Sequence, residues 1–146
     1  MMHSNHFHFE QIPTSHYQLV KSFYKKSHYF NQVGRKDEVF ALREISQHNR
    51  IIAAARLVKT ADYLILRSMV VLPELQKQGI GKYFLEHLKP SLINRSCWCF
   101  PFEWLECFYA GIGFKPYFPE DAPALIRRKY QQYSDQGRKI LIMSYP

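Results

Sequence analysis

The chain has 146 residues, of which 47% are hydrophobic, and a formal net charge of +8. This length is enough for one substantial core, and we predict a single domain over residues 1–146. No segment approaches the roughly 18 apolar residues of a membrane span, and the N-terminus lacks a signal-peptide pattern. Three cysteines make a poor disulfide framework. We therefore expect a cytoplasmic protein with no membrane partner.

The first half of the chain predicts one helix followed by a meander of strands. Apolar residues recur with helical period between residues 16 and 29, at Leu19, Val20, Phe23 and Tyr24. Alternating or continuous apolar runs predict strands at 7–12, 38–45, 51–58 and 63–72. The last three are joined by short polar segments, which is typical of an antiparallel meander.

The second half interleaves helices with short strands. Helical patterns cover 81–88, 102–111 and 122–136, and apolar runs predict strands at 96–100, 113–118 and 139–145. Pro73 ends the preceding strand because it lacks an N–H group. The fold class is α+β, with a largely antiparallel sheet.

A glycine-rich turn lies between the strand at 63–72 and the following helix. Its sequence is QKQGIGK, from Gln76 to Lys82. The N–H groups at a helix start lack internal partners and attract anions. Gly79 and Gly81 would let the backbone approach a phosphate closely, while Lys77 and Lys82 add positive charge. An ordinary tight turn would show the same G-x-G pattern, so these glycines alone do not decide between the two interpretations.

The residues around this turn carry a resemblance. MVVLPELQKQGIGKYFLEHL resembles the acyl-CoA-binding motif of the GNAT superfamily of N-acyltransferases, with Val71, Pro73, Gln76, Gly79 and Gly81 on its pattern. Some thirty residues later, CFYAGIGF matches that superfamily's F-Y-x-x-x-G-F pattern. The order of predicted elements is also similar to the GNAT fold, which has helices on both faces of a mixed sheet. The turn does not match a Walker loop, which needs an earlier glycine and a serine or threonine after Gly81-Lys82. It does not match the dinucleotide-binding G-x-G-x-x-G pattern either, since its third glycine is absent.

The resemblance implies acetyl-CoA as co-substrate and a set of binding residues. The backbone of the strand end would pair with the pantetheine arm, and one of its N–H groups would polarise the thioester carbonyl. The glycine turn would hold the pyrophosphate. The implied cofactor-binding residues are Met69, Val70, Val71, Gln76, Lys77, Gln78, Gly79, Ile80, Gly81 and Lys82.

The resemblance also implies direct attack of a primary amine on the thioester. Tyr109, in the second motif, is the candidate acid that protonates the departing CoA thiolate. Many relatives carry a glutamate on the strand before the turn, where this chain has Arg67 and Ser68. Glu103 and Glu106 are therefore the candidate bases, although a solvated role suits both.

The cysteines and Phe102 give little further evidence of a binding site. No metal site is expected: Cys97 and Cys99 alternate along a strand and suit buried small side chains better than zinc ligands. Phe102 stands where relatives often have an asparagine that contacts the cofactor.

Two other functions fit parts of the sequence. A catalytically silent acyl-CoA sensor would need the same binding loop, and the charge of +8 would suit a nucleic-acid-binding module. No recognition motif supports nucleic acid, which we do not expect as a partner. The acceptor, a small-molecule or peptide amine, the acyl chain length and the oligomeric state stay open, with a homodimer as one option.

Overall fold

The structure is a computed structural model that describes residues 6–29 and 32–146. Its strands and helices are β1 (Phe7–Ile12), α1 (Tyr17–Lys26), β2 (Glu38–Glu44), β3 (Arg50–Thr60), β4 (Tyr63–Val71), α2 (Ile80–Leu88), β5 (Cys97–Cys99), α3 (Glu106–Ile112), β6 (Lys115–Tyr117), α4 (Ala124–Asp135) and β7 (Ile142–Tyr145). The predicted α+β class is confirmed.

The seven strands form one sheet in the order β1-β2-β3-β4-β5-β7-β6. β4 pairs in parallel with β5, while β1 with β2, β2 with β3, and β7 with both β5 and β6 are antiparallel. The predicted largely antiparallel sheet is therefore confirmed.

Backbone contacts divide the chain into two compact units. Unit 1 comprises Met1–Lys59 and Leu66–Leu88, and unit 2 comprises Thr60–Ile65 and Lys89–Pro146. β4 therefore contributes its first three residues to unit 2 and the rest to unit 1. The single domain over residues 1–146 stays a prediction.

In unit 1, helices cover both faces of the sheet. Val39 and Ala41 of β2 belong to a core cluster with Val20 and Tyr24 of α1. Side chains alternate between faces along a strand, so Phe40 points the other way. Phe40 stacks on Phe9 of β1, whose ring also contacts Phe84 of α2. The predicted helices on both faces thus follow from strand alternation.

The first helix is shorter than its pattern predicted. α1 ends at Lys26 rather than near residue 29, because His28 takes a left-handed backbone conformation with φ of 60°. Leu19, which the apolar pattern placed toward the core, is 48% exposed, and Tyr17 is buried instead. The buried stripe is therefore Tyr17, Val20, Phe23 and Tyr24.

In unit 2, a second core cluster lies between the sheet and α4. It contains Ile65, Trp98, Ala122, Ile126 and Ile142. β7 begins at Ile142 rather than residue 139, yet the backbone before it is bonded: Leu141 N–H donates to Pro101 C=O at 2.8 Å, and Glu103 N–H donates to Lys139 C=O at 3.0 Å.

The three cysteines are free thiols in two different environments. Cys97 and Cys99 are buried in β5, and Cys107 is exposed on α3. Burial raises the pKa of the Cys99 thiol well above its ordinary value, with the neighbouring Cys97 as a smaller cause. The predicted burial of the first two is thus observed.

Candidate functional site

The turn between β4 and α2 has an unusual backbone. Lys77 and Gly79 both have positive φ, 64° and 84°. A glycine adopts this region without a Cβ clash, whereas Lys77 does so at some cost in energy. Gly81 lies inside the first turn of α2, and its φ is not positive. The two glycines therefore serve different purposes: Gly79 takes a left-handed backbone angle in the turn, and Gly81 leaves the helix start without a side chain.

The start of α2 offers free backbone donors. The first helical hydrogen bond joins Tyr83 N–H to Gly79 C=O at 3.0 Å. The N–H groups of Gly79, Ile80, Gly81 and Lys82 therefore precede the helical ladder. In residues 6–29 and 32–146, no protein oxygen accepts from these four groups. Such donors, together with the positive end of the helix dipole, fit a phosphate group.

A side chain ties this turn to the end of β4. The Gln76 amide Nε2 donates to the Val71 carbonyl at 3.0 Å. Gln76 thus fixes the turn relative to the strand that carries Met69, Val70 and Val71. All ten predicted cofactor-binding residues lie in unit 1 and belong to this strand-turn-helix segment.

A buried polar network surrounds Ser68, the residue before Met69, and it was not predicted from the sequence. Ser68 Oγ accepts from Arg56 Nε at 2.9 Å, and Arg56 Nη1 pairs with Asp37 Oδ2 at 2.7 Å. Tyr24 Oη donates to the Ser68 carbonyl at 2.8 Å, and Tyr17 Oη donates to the Asp37 carbonyl. The signal was available: Arg56 is the single charge in IIAAARLV, and a buried charge needs a partner.

Tyr109 lies in α3 of unit 2 and is buried, at 8% exposure. Its ring contacts Phe108 and Phe114 edge-on. Its carbonyl accepts from the N–H groups of Gly113 and Phe114, which ends the helix. Gly113 has φ of 125°, and a Cβ there would meet the Tyr145 ring at 3.0 Å. The F-Y-x-x-x-G-F motif is therefore a helix end with Tyr109 fixed by aromatic packing.

The two candidate bases occupy a different environment from Tyr109. Glu103 lies in a short 3-10 turn and Glu106 in the first turn of α3, and both are exposed. Phe102, beside them, is 43% exposed and stacks on Trp104 with parallel rings at 4.7 Å. Exposure matches the solvated interpretation of both carboxylates better than a dedicated base.

Neither a metal-ligand cluster nor a membrane-spanning helix is present in the part of the chain that the structure describes. There, no three His, Cys, Asp or Glu side chains cluster as metal ligands would. Nor is any helix within those ranges both long enough and apolar enough to cross a membrane.

A family model for the acetyltransferase (GNAT) domain matches residues 35–116, which include the glycine turn and both motifs. The chain belongs to the GNAT acetyltransferase family. It is an acyl-CoA-dependent N-acetyltransferase, with acetyl-CoA as the co-substrate. The recognition made from the two sequence motifs is confirmed.

Individual relatives support the fold of this GNAT chain. The ribosomal protein bS18-alanine N-acetyltransferase of Escherichia coli K12 is 29% identical over 112 residues, covering 70% of this chain and 69% of that one. The crystal structure of the Escherichia coli ribosomal-protein-S18-alanine N-acetyltransferase aligns with a TM-score of 0.65 at 21% identity, over 96% of this chain and 93% of that one.

A second solved structure is a longer protein. N-acetylglutamate synthase from Neisseria gonorrhoeae, complexed with coenzyme A and N-acetyl-glutamate, aligns with a TM-score of 0.67 at 17% identity. The alignment covers 95% of this GNAT chain and 34% of the synthase, so this chain spans about a third of that protein's length.

Proposed function

We propose that this protein transfers an acetyl group from acetyl-CoA to an α-amine by direct attack, with the β4–α2 segment as the donor site. The observation that carries this proposal is the set of four N–H groups at Gly79–Lys82, which have no acceptor among the described residues and lie next to a turn fixed by Gln76. These groups would bind the pyrophosphate of CoA. Lys77 and Lys82 are exposed beside them and would add attraction for phosphate.

The end of β4 would hold the acyl end of the donor. Met69, Val70 and Val71 are each partly exposed, so their backbone would be available to the pantetheine arm. One of their N–H groups would donate to the thioester oxygen, which gains negative charge as the amine attacks. The nitrogen–carbon bond forms, the carbon–sulfur bond breaks, CoA leaves as the thiolate, and the amine nitrogen releases its extra proton to solvent.

The acceptor class is inferred from the residues that stand where a catalytic base is expected. β4 has Arg67 and Ser68 where a base would stand, and Glu103 and Glu106 are exposed. An α-amine has a pKa of about 8 and a lysine amine about 10.4, so roughly a tenth of the former is neutral at pH 7. An α-amine therefore needs little help from a base. One relative is named as an N-acetyltransferase of alanine in ribosomal protein bS18, and a structural neighbour is an N-acetylglutamate synthase complexed with N-acetyl-glutamate. Both names support an amino-acid or peptide α-amine as the acceptor.

Tyr109 is the proposed acid that protonates the leaving thiolate. Tyr109→Phe should lower kcat by about a hundredfold while the KM for acetyl-CoA changes little, because proton donation acts in the transition state. Thiol release at saturating acetyl-CoA measures this. Tyr63→Phe, which removes a phenolic hydroxyl from the start of β4, is the control. An unchanged kcat for Tyr109→Phe would remove Tyr109 from the mechanism.

A thiol-release screen tests the function as a whole. Acetyl-CoA and longer acyl-CoAs are offered with free amino acids, peptides with free N-termini, polyamines and aminoglycosides. Turnover with amino acids or peptides supports the proposal, and exclusive turnover with polyamines contradicts it. Acetyl-CoA binding without turnover on any amine would favour the sensor. Salt-sensitive nucleic-acid binding without an acetyl-CoA thermal shift would favour the nucleic-acid module.

We place the protein in the cytoplasm, since its three cysteines are free thiols. A homodimer remains a proposal that light scattering would test.

A further inference from the structure

One residue of β4 has a backbone conformation foreign to a strand. Ser68 has φ of 56° and is 7% exposed. Among the described residues, it is the one non-glycine residue with positive φ that lies inside a strand; the others lie in turns and loops. It comes directly before Met69–Val71, the backbone proposed above to contact the acyl donor.

This conformation has a cost that its surroundings must offset. A side-chain-bearing residue in the left-handed region is strained by about 1–3 kcal/mol and persists only where neighbouring groups hold it. Two such groups contact Ser68. Tyr24 Oη donates to its carbonyl at 2.8 Å, and Arg56 Nε donates to its Oγ at 2.9 Å. Ser68 is therefore held on both its main chain and its side chain.

The Arg56 guanidinium is itself held in place. Its Nη1 pairs with Asp37 Oδ2 at 2.7 Å, and the same carboxylate oxygen accepts from Gly34 N–H at 2.8 Å. Arg56 and Asp37 are 9% and 8% exposed. A buried ion pair of this kind is seldom more stabilising than apolar side chains of equal size. Its contact with a strained serine indicates a role in conformation.

We propose that Arg56 and Tyr24 are positioning residues for acyl transfer. They hold Ser68 in its left-handed conformation, and this sets the direction of the N–H groups of Met69–Val71 toward the thioester oxygen. The inference rests on the proposed donor site. All of these residues lie in unit 1.

Two substitutions of Ser68 separate this role from ordinary packing. Ser68→Ala removes the Oγ that Arg56 holds and keeps the Cβ that strains the backbone. Ser68→Gly removes the same contact, but glycine takes positive φ freely. We expect kcat to fall about tenfold or more in Ser68→Ala, with the KM for acetyl-CoA changed less, because an oxyanion donor acts in the transition state. Ser68→Gly should recover a large part of that loss.

Ser144→Ala is the matched control, since Ser144 is also a buried strand serine, at 8% exposure, and its hydroxyl donates to the Cys97 carbonyl rather than joining the Ser68 network. It should lose a similar amount of stability and keep its kcat. If Ser68→Ala does not fold, Tyr24→Phe removes the other contact without disturbing the ion pair, and we expect the same fall in kcat.

A spectroscopic measurement makes the test independent of the acceptor amine. Acetyl-CoA labelled with carbon-13 at the thioester carbonyl is bound to each variant, and the carbonyl stretch is measured by infrared difference spectroscopy. Hydrogen bonding lowers this frequency. The wild type should show a lowered frequency, Ser68→Ala should lose most of it, and Ser68→Gly should regain it.

The outcomes are distinct. Equal kcat and equal carbonyl frequency in Ser68→Ala and the wild type would overturn the positioning role, as would a Ser68→Gly variant no better than Ser68→Ala. A wild type that binds acetyl-CoA but turns over no amine would instead contradict the proposed function, and the carbonyl frequencies would still test the positioning role.

Discussion

Tyr24 shows how much one buried side chain does in this protein. It is 1% exposed, packs in the core cluster that joins α1 to β2, and donates to the Ser68 carbonyl. Burial raises the pKa of Tyr24 well above its ordinary value, and the nearby Arg56 charge lowers it only in part. Its hydroxyl is therefore a permanent donor in the folded state and does not act as a base.

This raised pKa predicts a loss of stability at alkaline pH. The folded state holds the Tyr24 proton more tightly than the unfolded chain, whose phenols titrate near pH 10. The stabilisation is thus complete below about pH 10 and is lost as the pH rises further. Burial also raises the pKa of Tyr17 and Cys99, which add to the same slope.

Urea unfolding between about pH 8 and pH 11 measures this slope, which is roughly 1 kcal/mol per pH unit for each raised group. Tyr24→Phe should make it shallower. Ser144→Ala, which removes a buried hydroxyl that does not titrate in this range, should leave it unchanged. Parallel slopes for Tyr24→Phe and the wild type would contradict the argument.

At the scale of elements, the segment from β4 to α2 carries the donor site. Its shape depends on backbone angles that few residue types adopt, with positive φ at Lys77 and Gly79. The Gln76–Val71 hydrogen bond closes this turn.

Gly79→Ala should therefore weaken acetyl-CoA binding by about tenfold or more, because the strained residue would move the N–H groups that face the phosphate. Gly137→Ala is a close control: φ at Gly137 is 86°, and its Cβ would meet nothing within 4 Å. Both variants should lose about 1 kcal/mol of stability by urea unfolding. Calorimetric titration should separate them, and equal affinities would argue against a phosphate site at this turn.

The sequence predicted the presence of helices and strands better than the residues at which they begin and end. Apolar periodicity identifies α1 and α4 because their buried faces repeat every three or four residues. It does not show that His28 turns left-handed and ends α1, or that Lys139–Leu141 pair with the segment at Pro101–Glu103 rather than starting β7. Those ends depend on single backbone angles and on bonds between segments distant in sequence.

At the scale of the whole molecule, the positive charge is unevenly distributed. Unit 1 holds twelve of the 20 lysines and arginines and six of the 12 acidic residues, so twelve minus six places +6 of the +8 there. The proposed donor site is in the same unit. A cationic surface raises the association rate of an anionic ligand such as CoA, and salt screens it.

The KM for acetyl-CoA should accordingly rise roughly threefold between low and moderate ionic strength. Replacing both Lys77 and Lys82 by glutamine should reduce that dependence. Replacing both Arg128 and Lys129 in the same way should not, since these residues belong to α4 and not to the β4–α2 segment proposed to bind CoA. Steady-state kinetics across a salt series would show this, and a stronger effect from the α4 pair would place the CoA phosphates elsewhere.

The site was only partly predictable from the sequence. The glycine turn and Tyr109 lie in short contiguous motifs, so pattern alone found them. The network around Ser68 could not be found in that way, because Arg56 is 19 residues from Asp37 and 12 from Ser68, and Tyr24 is 44 from Ser68. Only the fold brings these side chains together.

Because the three thiols differ in exposure, their labelling rates can be used to follow unfolding of this protein. In the native state a thiol reagent would modify Cys107, whereas Cys97 and Cys99 in β5 are buried, and burial also disfavours the reactive thiolate of Cys99 by raising its pKa. Labelling at the two protected positions would then proceed at the rate at which β5 becomes accessible. Colorimetric turnover assays would also carry a fixed background of one equivalent per enzyme molecule, from the Cys107 side chain.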